Sequence, residues 1–515
     1  MEKPFVVAQR SILARGRAAS RDRYWLWVMA LVLLGLALWF PYLAFPLDAD
    51  AAGYATAAYW WAQGDTLYRD ITITRPQGIF IIFRILLALH LDSAIGNHIV
   101  AAFYASACTI AFLALVQRIW GRRIAFAGAT LFTLLLAAPF TEGYSTNAEL
   151  FMLLPILGAL HLLWSFSDGV LSRQVSSSWL VACGFLAALA AFIKPSAAPI
   201  MLVSIGWLFY RWRGQQLSYM ALWQAEGAFV FGCALVVLPA LLHGLRTAPD
   251  VYLGAVIFYR LGYDSAFTGS FVEQLSAFTF ATLLLLAQLP ILLAAGIGLW
   301  PTHARHSDPS HIFLLSWFFA AFAGVAMGGN WFPHYYLPLL APLAVGIVLG
   351  WEHLLYRAKR RGPNRSRVFA RTAGCIVLPI LLGISIFNSV LAVLPGMLHY
   401  PATPSRSEVV AAYIRAHSEP TDTLYVTYQW VPVYQLSQRK PASRWLYYRE
   451  LQRTPGAFSE QIVRLGDPQT APLYIIAAQP FDAFGLDSAG ALRAAVDQNY
   501  VLETTIEGIS LYRRR

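Results

Sequence analysis

The chain has 515 residues, of which 58% are hydrophobic and only 13% are charged, and its mean hydropathy is +0.53. Because soluble domains carry roughly 25% charged residues, this composition excludes a water-soluble globular protein and predicts a polytopic α-helical membrane protein. The formal net charge is +11. The distribution of the basic residues along the chain, described below, explains this excess by membrane topology, so we expect no nucleic-acid partner.

The chain begins with a basic segment, residues 1–23, which is predicted to be cytoplasmic. The apolar run that follows, from Tyr24 to Phe45, is long enough for a spanning helix and is not followed by a small-residue cleavage pattern. A retained first helix is therefore favoured over a cleaved signal. The four cysteines lie far apart within apolar runs and show neither metal-binding spacing nor a disulfide framework.

About eleven apolar runs have the length of membrane-spanning helices. They lie near 24–45, 94–117, 124–140, 148–167, 178–193, 197–210, 225–243, 276–300, 312–328, 336–355 and 373–395. With the N-terminus inside, the inner segments hold 20 Lys and Arg residues and the outer segments of the membrane part hold six. This asymmetry is the positive-inside pattern, so the inner side is predicted to be cytoplasmic.

Because the predicted number of spans is odd, the C-terminus is expected on the outer side of the membrane. The predicted organisation is a transmembrane region, 24–400, with an outer loop at 46–93, followed by an extracytoplasmic domain at 401–515. The second part alternates short apolar runs with polar stretches. Ser405 to Glu408 has the pattern of a capping box that opens a helix, and a helix is also predicted at 491–496. Strands are predicted at 423–428, 473–477, 500–505 and 509–512, so we expect a small α/β domain.

The outer loop combines acidic, aromatic and basic residues in a pattern that favours a catalytic site. Asp48 and Asp50 follow the first span, and Tyr54 lies four residues after Asp50, on the same face of a helix. Acidic residues at a membrane rim are costly and often functional, and a carboxylate can act as a general base. Arg75 suits a phosphate partner. The alternative is a solvated loop with helix caps. Residues 79–89 are predicted to form an interfacial helix.

Three further segments are predicted to reach the same side of the membrane. Asn147 and Glu149 stand where an apolar helix begins, and the alternative for Glu149 is favourable charge at a helix N-terminus. Lys194 lies in a short turn between the spans 178–193 and 197–210, and its alternative is snorkelling to the interface. His334 and its aromatic neighbours open another helix, where the alternative is an aromatic belt.

These residues resemble the GT-C superfamily of polyprenyl-phosphate-sugar-dependent glycosyltransferases, in its protein O-mannosyltransferase and lipid A aminoarabinose transferase branches. The family has an acidic Asp-Glu-x-x-Tyr motif in its first outer loop. Residues 50–54, Asp-Ala-Ala-Gly-Tyr, resemble it with Ala in place of Glu, and Asp48 supplies a second carboxylate. The family's Gly…Tyr segment resembles 64–68, and its Lys-Pro-Pro element resembles 75–77, Arg-Pro-Gln, which keeps the charge.

The resemblance continues through residues 146–149, through Lys194 in the family's helical turn, and through residues 334–338. It covers most of residues 24–350, and it implies about eleven spans of GT-C type, with interfacial helices in the outer loop. It implies an inverting glycosyltransferase of the plasma (cell inner) membrane, using a polyprenyl-phosphate-linked sugar donor and a lipid, glycan or protein acceptor among membrane lipids. No cofactor is certain; a divalent cation is one possibility.

The roles implied for individual residues follow from this resemblance. Asp50 would be the general base. Asp48, Tyr54, Asn147 and Glu149 would orient substrate or acceptor, and Asp48 and Glu149 could instead hold a cation. The lipid phosphate would be bound by Arg75, Lys194, His334 and Tyr336.

Two other functions fit parts of the sequence. A multi-pass transporter or lipid flippase would place ionisable residues near the bilayer midplane, often on broken helices in repeated halves, whereas here they gather at one rim and no repeated halves are visible. A non-catalytic scaffold for glycan assembly is the third alternative. The identity of the sugar and of the acceptor does not follow from the sequence.

Overall fold

The computed structural model describes residues 24–167, 173–263, 289–299, 308–327, 331–360, 404–428 and 430–515, with isolated helical positions between them. A helical part, up to residue 360, precedes a smaller part that contains a β-sheet, from residue 404. The N-terminal segment 1–23 and the predicted span at 373–395 lie outside the described residues, apart from isolated positions in that span.

The described ranges of the helical part contain twelve α-helices. They are α1 (Tyr24–Tyr42), α2 (Ala49–Ala62), α3 (Gln77–Ala88), α4 (Ala94–Trp120), α5 (Arg122–Leu136), α6 (Ala148–Ser167), α7 (Arg173–Ile193), α8 (Pro199–Arg213), α9 (Tyr219–Thr247), α10 (Leu289–Leu299), α11 (Pro309–Met327) and α12 (Leu337–Arg360). A π-helix covers Gly254–Tyr263.

Six helices among the described residues are long and apolar enough to cross a membrane: α1, α4, α6, α9, α11 and the segment Pro333–His353 that contains most of α12. Their number and hydropathy make the protein a multi-pass membrane protein. Helices α7 and α8 are joined by Lys194 and the 3-10 turn Pro195–Ala197, at the short turn predicted between these two apolar runs. The count of eleven spans stays a prediction.

The loop between α1 and α4 folds into two helices. The carboxylate of Asp48 caps α2 by accepting a hydrogen bond of 2.8 Å from the backbone N–H of Ala51, which is the ordinary reason for Asp at this position. Most of α2 is buried. Helix α3, which contains the predicted interfacial helix at 79–89, begins after Pro76.

Gly78 allows α3 to approach the end of α7. An added Cβ at Gly78 would lie 2.5 Å from the backbone oxygen of Phe192, a distance that real Cβ atoms do not reach. The absence of a side chain there brings the Arg75 end of α3 next to the turn that carries Lys194. Two predicted site residues from distant segments thus meet because one glycine permits a close backbone contact.

The sheet of the C-terminal part has five strands in the order β2-β1-β3-β5-β4. Its strands are β1 (Thr423–Val426), β2 (Lys440–Pro441), β3 (Tyr474–Ala477), β4 (Tyr500–Ile506) and β5 (Ile509–Arg514). The first three are parallel, and β5 pairs antiparallel with both β3 and β4.

Five helices accompany the sheet. They are α13 (Arg406–Ala416), α14 (Pro432–Ser437), α15 (Tyr448–Arg453), α16 (Ala457–Gly466) and α17 (Ala491–Asn499). The predicted capping box at Ser405 and Glu408 is present, and the predicted strands lie within one or two residues of those observed. The domain boundary at 401 stays a prediction.

The C-terminal part packs directly on the loop that carries α2 and α3. The backbone N–H of Thr72 donates to the carbonyl of Arg444 at 2.7 Å, and Thr72 forms a parallel β-bridge with Trp445. Lys440 forms an ion pair with Asp65 at 2.6 Å. Since these contacts join the two segments, the loop 43–93 and the C-terminal part lie on the same side of the membrane.

Candidate functional site

The start of α2 places two carboxylates side by side. Asp48 caps the helix, and its second carboxylate oxygen accepts a hydrogen bond from the hydroxyl of Ser145. Asp50 lies in the first turn, with 27% of its side chain exposed. Burial raises the pKa of the Asp48 carboxyl to about 7, and the charge of Asp50 adds to the increase. Asp48 is therefore held by two protein hydrogen bonds, whereas Asp50 is partly exposed and lies near His334.

His334 is the centre of the polar cluster. Its Nδ1 lies 2.6 Å from Oε2 of Glu142, and its Nε2 lies 3.8 Å from Oδ2 of Asp50 and 3.9 Å from Oε1 of Glu149. The contact with Glu142 orients the ring so that the other nitrogen faces the two remaining carboxylates. Glu142 has a left-handed backbone (φ 51°), which is uncommon outside glycine and often marks a functional turn.

Lys194 is buried beside Glu149. The ammonium contacts Oε1 of Glu149 in an ion pair whose side chains are 6% and 1% exposed, and it lies 4.3 Å from the centre of the Tyr335 ring. A buried pair of this kind does not fit the alternative in which Lys194 snorkels to the interface. Glu149 is likewise more than a helix-terminal charge, because it connects Lys194 with His334.

Arg75 approaches the same cluster from the outer loop. The side chain is 7% exposed; Nη1 donates to the carbonyl of Thr74 at 3.1 Å, and Nε has no hydrogen-bond partner among the described residues. The guanidinium interacts electrostatically with Asp50, Tyr54 and Tyr335. A buried guanidinium with a free N–H suits an incoming anion such as a phosphate.

Tyr54 is a buried neighbour of Arg75 and of the carboxylates Asp50 and Glu149. Its ring packs edge-on against Phe80 and Phe83, at 6.0 and 5.7 Å between ring centres. Its hydroxyl has no hydrogen-bond partner among the described residues, although it interacts electrostatically with Asp50 and Arg75. Buried hydroxyls are usually hydrogen-bonded, so this one is available to a bound ligand.

The remaining predicted residues have other surroundings. The side-chain oxygen of Asn147 accepts from the N–H of Ala148 at 3.2 Å, where α6 begins. Tyr336 is half-buried, and it is its neighbour Tyr335 that contacts Lys194. Asp50, Arg75, Lys194 and His334 are thus brought together, whereas Asn147 contacts the backbone at the start of its own helix.

Several residues in the cluster were not predicted as site residues. They are Glu142, Ser145, Tyr335 and, from the C-terminal part, Tyr447 and Glu450. Glu142 carried a signal, since it stands in the same outer turn as Glu149, but its contact with His334 depends on packing between distant segments. Among the described residues, no group of three or more His, Cys, Asp or Glu side chains is placed to hold a metal ion.

No family model matches the chain, and no curated relative matches it. Solved structures do match over almost its full length. ArnT from Cupriavidus metallidurans bound to undecaprenyl phosphate has a TM-score of 0.62 at 16% identity, over 94% of this chain and 97% of that one. In the apo state it has a TM-score of 0.60 at 17% identity, over the same shares of the two chains.

The Archaeoglobus fulgidus oligosaccharyltransferase, in complex with Zn and sulfate, has a TM-score of 0.58 at 12% identity, over 95% of this chain and 73% of that one. The chain has the GT-C fold. At identities of 12–17% the likeness concerns the fold.

Proposed function

We propose that the protein is an inverting glycosyltransferase that moves a sugar from a polyprenyl-phosphate donor to a hydroxyl of a lipid, glycan or protein acceptor. The observation that carries the proposal is that Asp50 and the cations Arg75 and Lys194 belong to one polar cluster, in which Tyr54 and His334 interact with them. The GT-C fold supports it, because ArnT was solved with undecaprenyl phosphate and the archaeal oligosaccharyltransferase AglB with a dolichol-phosphate.

The chemistry divides between the carboxylate and the cations. Asp50 accepts the proton of the acceptor hydroxyl as its oxygen forms a bond to the anomeric carbon on the face opposite the phosphate. The bond between that carbon and the phosphate oxygen breaks, and the electron pair leaves with the phosphate. Arg75 and Lys194 stabilise the charge that develops there, and fixed cations in a site that excludes water are effective for this purpose.

The side of the membrane follows from the basic residues. The inner segments are rich in Lys and Arg, so the proposed site lies on the extracytoplasmic face of the plasma (cell inner) membrane, with the N-terminus in the cytoplasm. A lipid-linked donor fits this placement, because its hydrocarbon chain stays in the bilayer while its sugar phosphate reaches the rim. Nucleotide sugars, which are cytoplasmic, do not reach this face.

The proposal is tested with Asp50→Asn. This substitution keeps the shape of the side chain and removes the base, and loss of a general base typically lowers a rate about 10²–10⁴-fold. Glycolipids and glycans are profiled in a strain lacking the gene and in the same strain rescued with the wild-type, Asp50→Asn or Asp70→Asn protein. Asp70 is a suitable control because it lies in the same loop and forms an exposed ion pair with Arg69.

We expect the wild type and Asp70→Asn to restore a product that Asp50→Asn does not, at equal protein levels in the membrane. Restoration by Asp50→Asn would contradict the assignment of the base. If the strains differ only in the side of the membrane on which a glycolipid accumulates, with no change in its sugar content, the alternative of a lipid flippase would replace the transferase.

A further inference from the structure

The segment 444–450 of the C-terminal part lies across the two stretches of the outer loop that carry Asp50 and Arg75. It pairs with Thr72 through the backbone of Arg444 and Trp445. Three and six residues after Arg444, two side chains turn toward the loop, Tyr447 and Glu450. Each of them contacts the backbone next to a proposed site residue.

Glu450 binds the residue that precedes Arg75. Its Oε1 accepts from the backbone N–H of Thr74 at 2.8 Å and from the Thr74 hydroxyl at 2.5 Å. Glu450 is 4% exposed and Thr74 is 1% exposed. Two hydrogen bonds from one residue to a buried carboxylate fix its position and its orientation, since charged acceptors make the stronger hydrogen bonds. The Glu450 carboxylate also interacts electrostatically with the guanidinium of Arg75.

Tyr447 binds the first turn of α2. Its hydroxyl donates to the carbonyl of Ala49 at 3.1 Å and lies 3.5 Å from the carbonyl of Asp50. The hydroxyl occupies the space where a side chain would stand at Gly53, since an added Cβ there would lie 1.9 Å away. The glycine therefore admits the tyrosine to the helix turn that carries Asp50.

We propose that Glu450 and Tyr447 are positioning residues, through which the C-terminal part sets the geometry of the donor-phosphate site and of the base. The inference rests on the proposed function, because it concerns the same Asp50 and Arg75. Glu450 acts through Thr74 on Arg75, and so on the binding of the lipid phosphate. Tyr447 acts through the carbonyl of Ala49 on Asp50, and so on the transfer step.

The first test measures binding of undecaprenyl phosphate to the purified full-length protein. In Glu450→Ala both hydrogen bonds to Thr74 are lost, and we expect the dissociation constant to rise on the order of 10-fold. In Glu450→Gln the amide oxygen still accepts from Thr74, so a rise within about threefold is expected. Rescue by the conservative variant shows that the hydrogen bonds to Thr74 carry the effect.

The matched control is Lys440→Ala. Lys440 joins the same two parts of the chain through its ion pair with Asp65, and this contact does not involve Thr74 or Ala49. If docking of the C-terminal part were all that mattered, Lys440→Ala would weaken binding as much as Glu450→Ala, and the inference would be overturned. We expect binding by Lys440→Ala to match the wild type. If Glu450→Ala fails to fold, Thr74→Val removes one donor of the same contact, and unchanged binding by that variant overturns the inference.

The second test separates Tyr447 from Glu450. Tyr447→Phe removes only the hydroxyl, so undecaprenyl phosphate should bind as in the wild type, while the glycan product per amount of protein falls on the order of 10-fold. Unchanged product would overturn the role of Tyr447. The proposed function fails separately: a wild-type protein that does not bind undecaprenyl phosphate contradicts the donor, whereas equal binding by the wild type and by Glu450→Ala contradicts only the positioning.

Discussion

Nδ1 of His334 lies 2.6 Å from Oε2 of Glu142, and this contact turns Nε2 of the same ring toward Asp50, at 3.8 Å. One carboxylate therefore orients the imidazole that faces the other. Because the ring is buried, the orientation does not depend on solvent. The pair connects the turn before α6 with the start of α12, two segments that the sequence separates by 192 residues.

Loss of the Glu142 carboxylate should lower transfer. Glu142→Gln replaces an ionic contact to the ring with a neutral one, and since hydrogen bonds to charged groups are worth about 1.5–3 kcal/mol, we expect product formation to fall on the order of 10-fold. The product is measured per amount of membrane protein. Glu507→Gln is the matched control, because Glu507 is exposed and has the same φ of 51°. Equal activity of the two variants would contradict an orienting role for Glu142.

The buried pair of Lys194 and Glu149 should show strong coupling in a double-mutant cycle. Removal of one partner leaves an uncompensated buried charge, which costs about 3–5 kcal/mol, so Lys194→Met and Glu149→Gln should each lower the unfolding temperature of the purified protein. The double variant has neither charge, and we expect it to be more stable than the sum of the single effects predicts. Additive losses would show that the two side chains do not form an ion pair.

Asp48 should make stability depend on pH. Its pKa is raised to about 7 in the folded protein, so the folded state binds more protons than the unfolded state between about pH 4 and 7, and stability falls as the pH rises through that range. Asp48→Asn cannot ionise. Relative to the wild type, this variant should therefore gain stability as the pH rises from 4 to 7 and change no further above it. Thermal unfolding of both proteins across this range, in the same detergent, shows whether the stability of the variant relative to the wild type rises with pH as expected.

The same substitution tests for a cation. If Asp48 only caps α2, Asp48→Asn should reduce transfer less than Asp50→Asn, because an asparagine side chain caps nearly as well. If the two carboxylates hold a metal together, the two variants should be similarly impaired, and a chelator should abolish the activity of the wild type. The product measurements described for Asp50 distinguish these outcomes.

Topology is tested with reporter fusions. Fusions after Arg367 and after Arg515 should report opposite sides of the membrane, since the basic segments predict a cytoplasmic location for the first and an outer location for the second. A reporter inserted after Gly64 should agree with the one after Arg515, because the loop 43–93 contacts the C-terminal part. Agreement between the fusions at Arg367 and Arg515 would mean that the number of spans is wrong.

The sequence by itself determined the features that depend on local patterns. Hydropathy over about 20 residues identified the long spans. Asp48 caps α2, as in the alternative in which acidic residues of this loop are helix caps. Short apolar runs between polar stretches located the strands of the C-terminal part, and a capping box located its first helix. Each of these signals is complete within a few turns of chain, so composition and spacing are sufficient to find it.

Only the tertiary structure decided which of these residues meet. Glu142 and His334 are 192 positions apart, and Thr74 and Glu450 are 376 apart; no local pattern encodes either pair. Their contacts depend on how the helices and the C-terminal part pack. This packing requires close approaches that only the absence of a side chain at Gly53 and Gly78 permits. The sequence predicted Lys194 as a cation at the membrane rim, and the structure shows it as a buried partner of Glu149. A buried charge is stable only when it is paired with a charge of opposite sign.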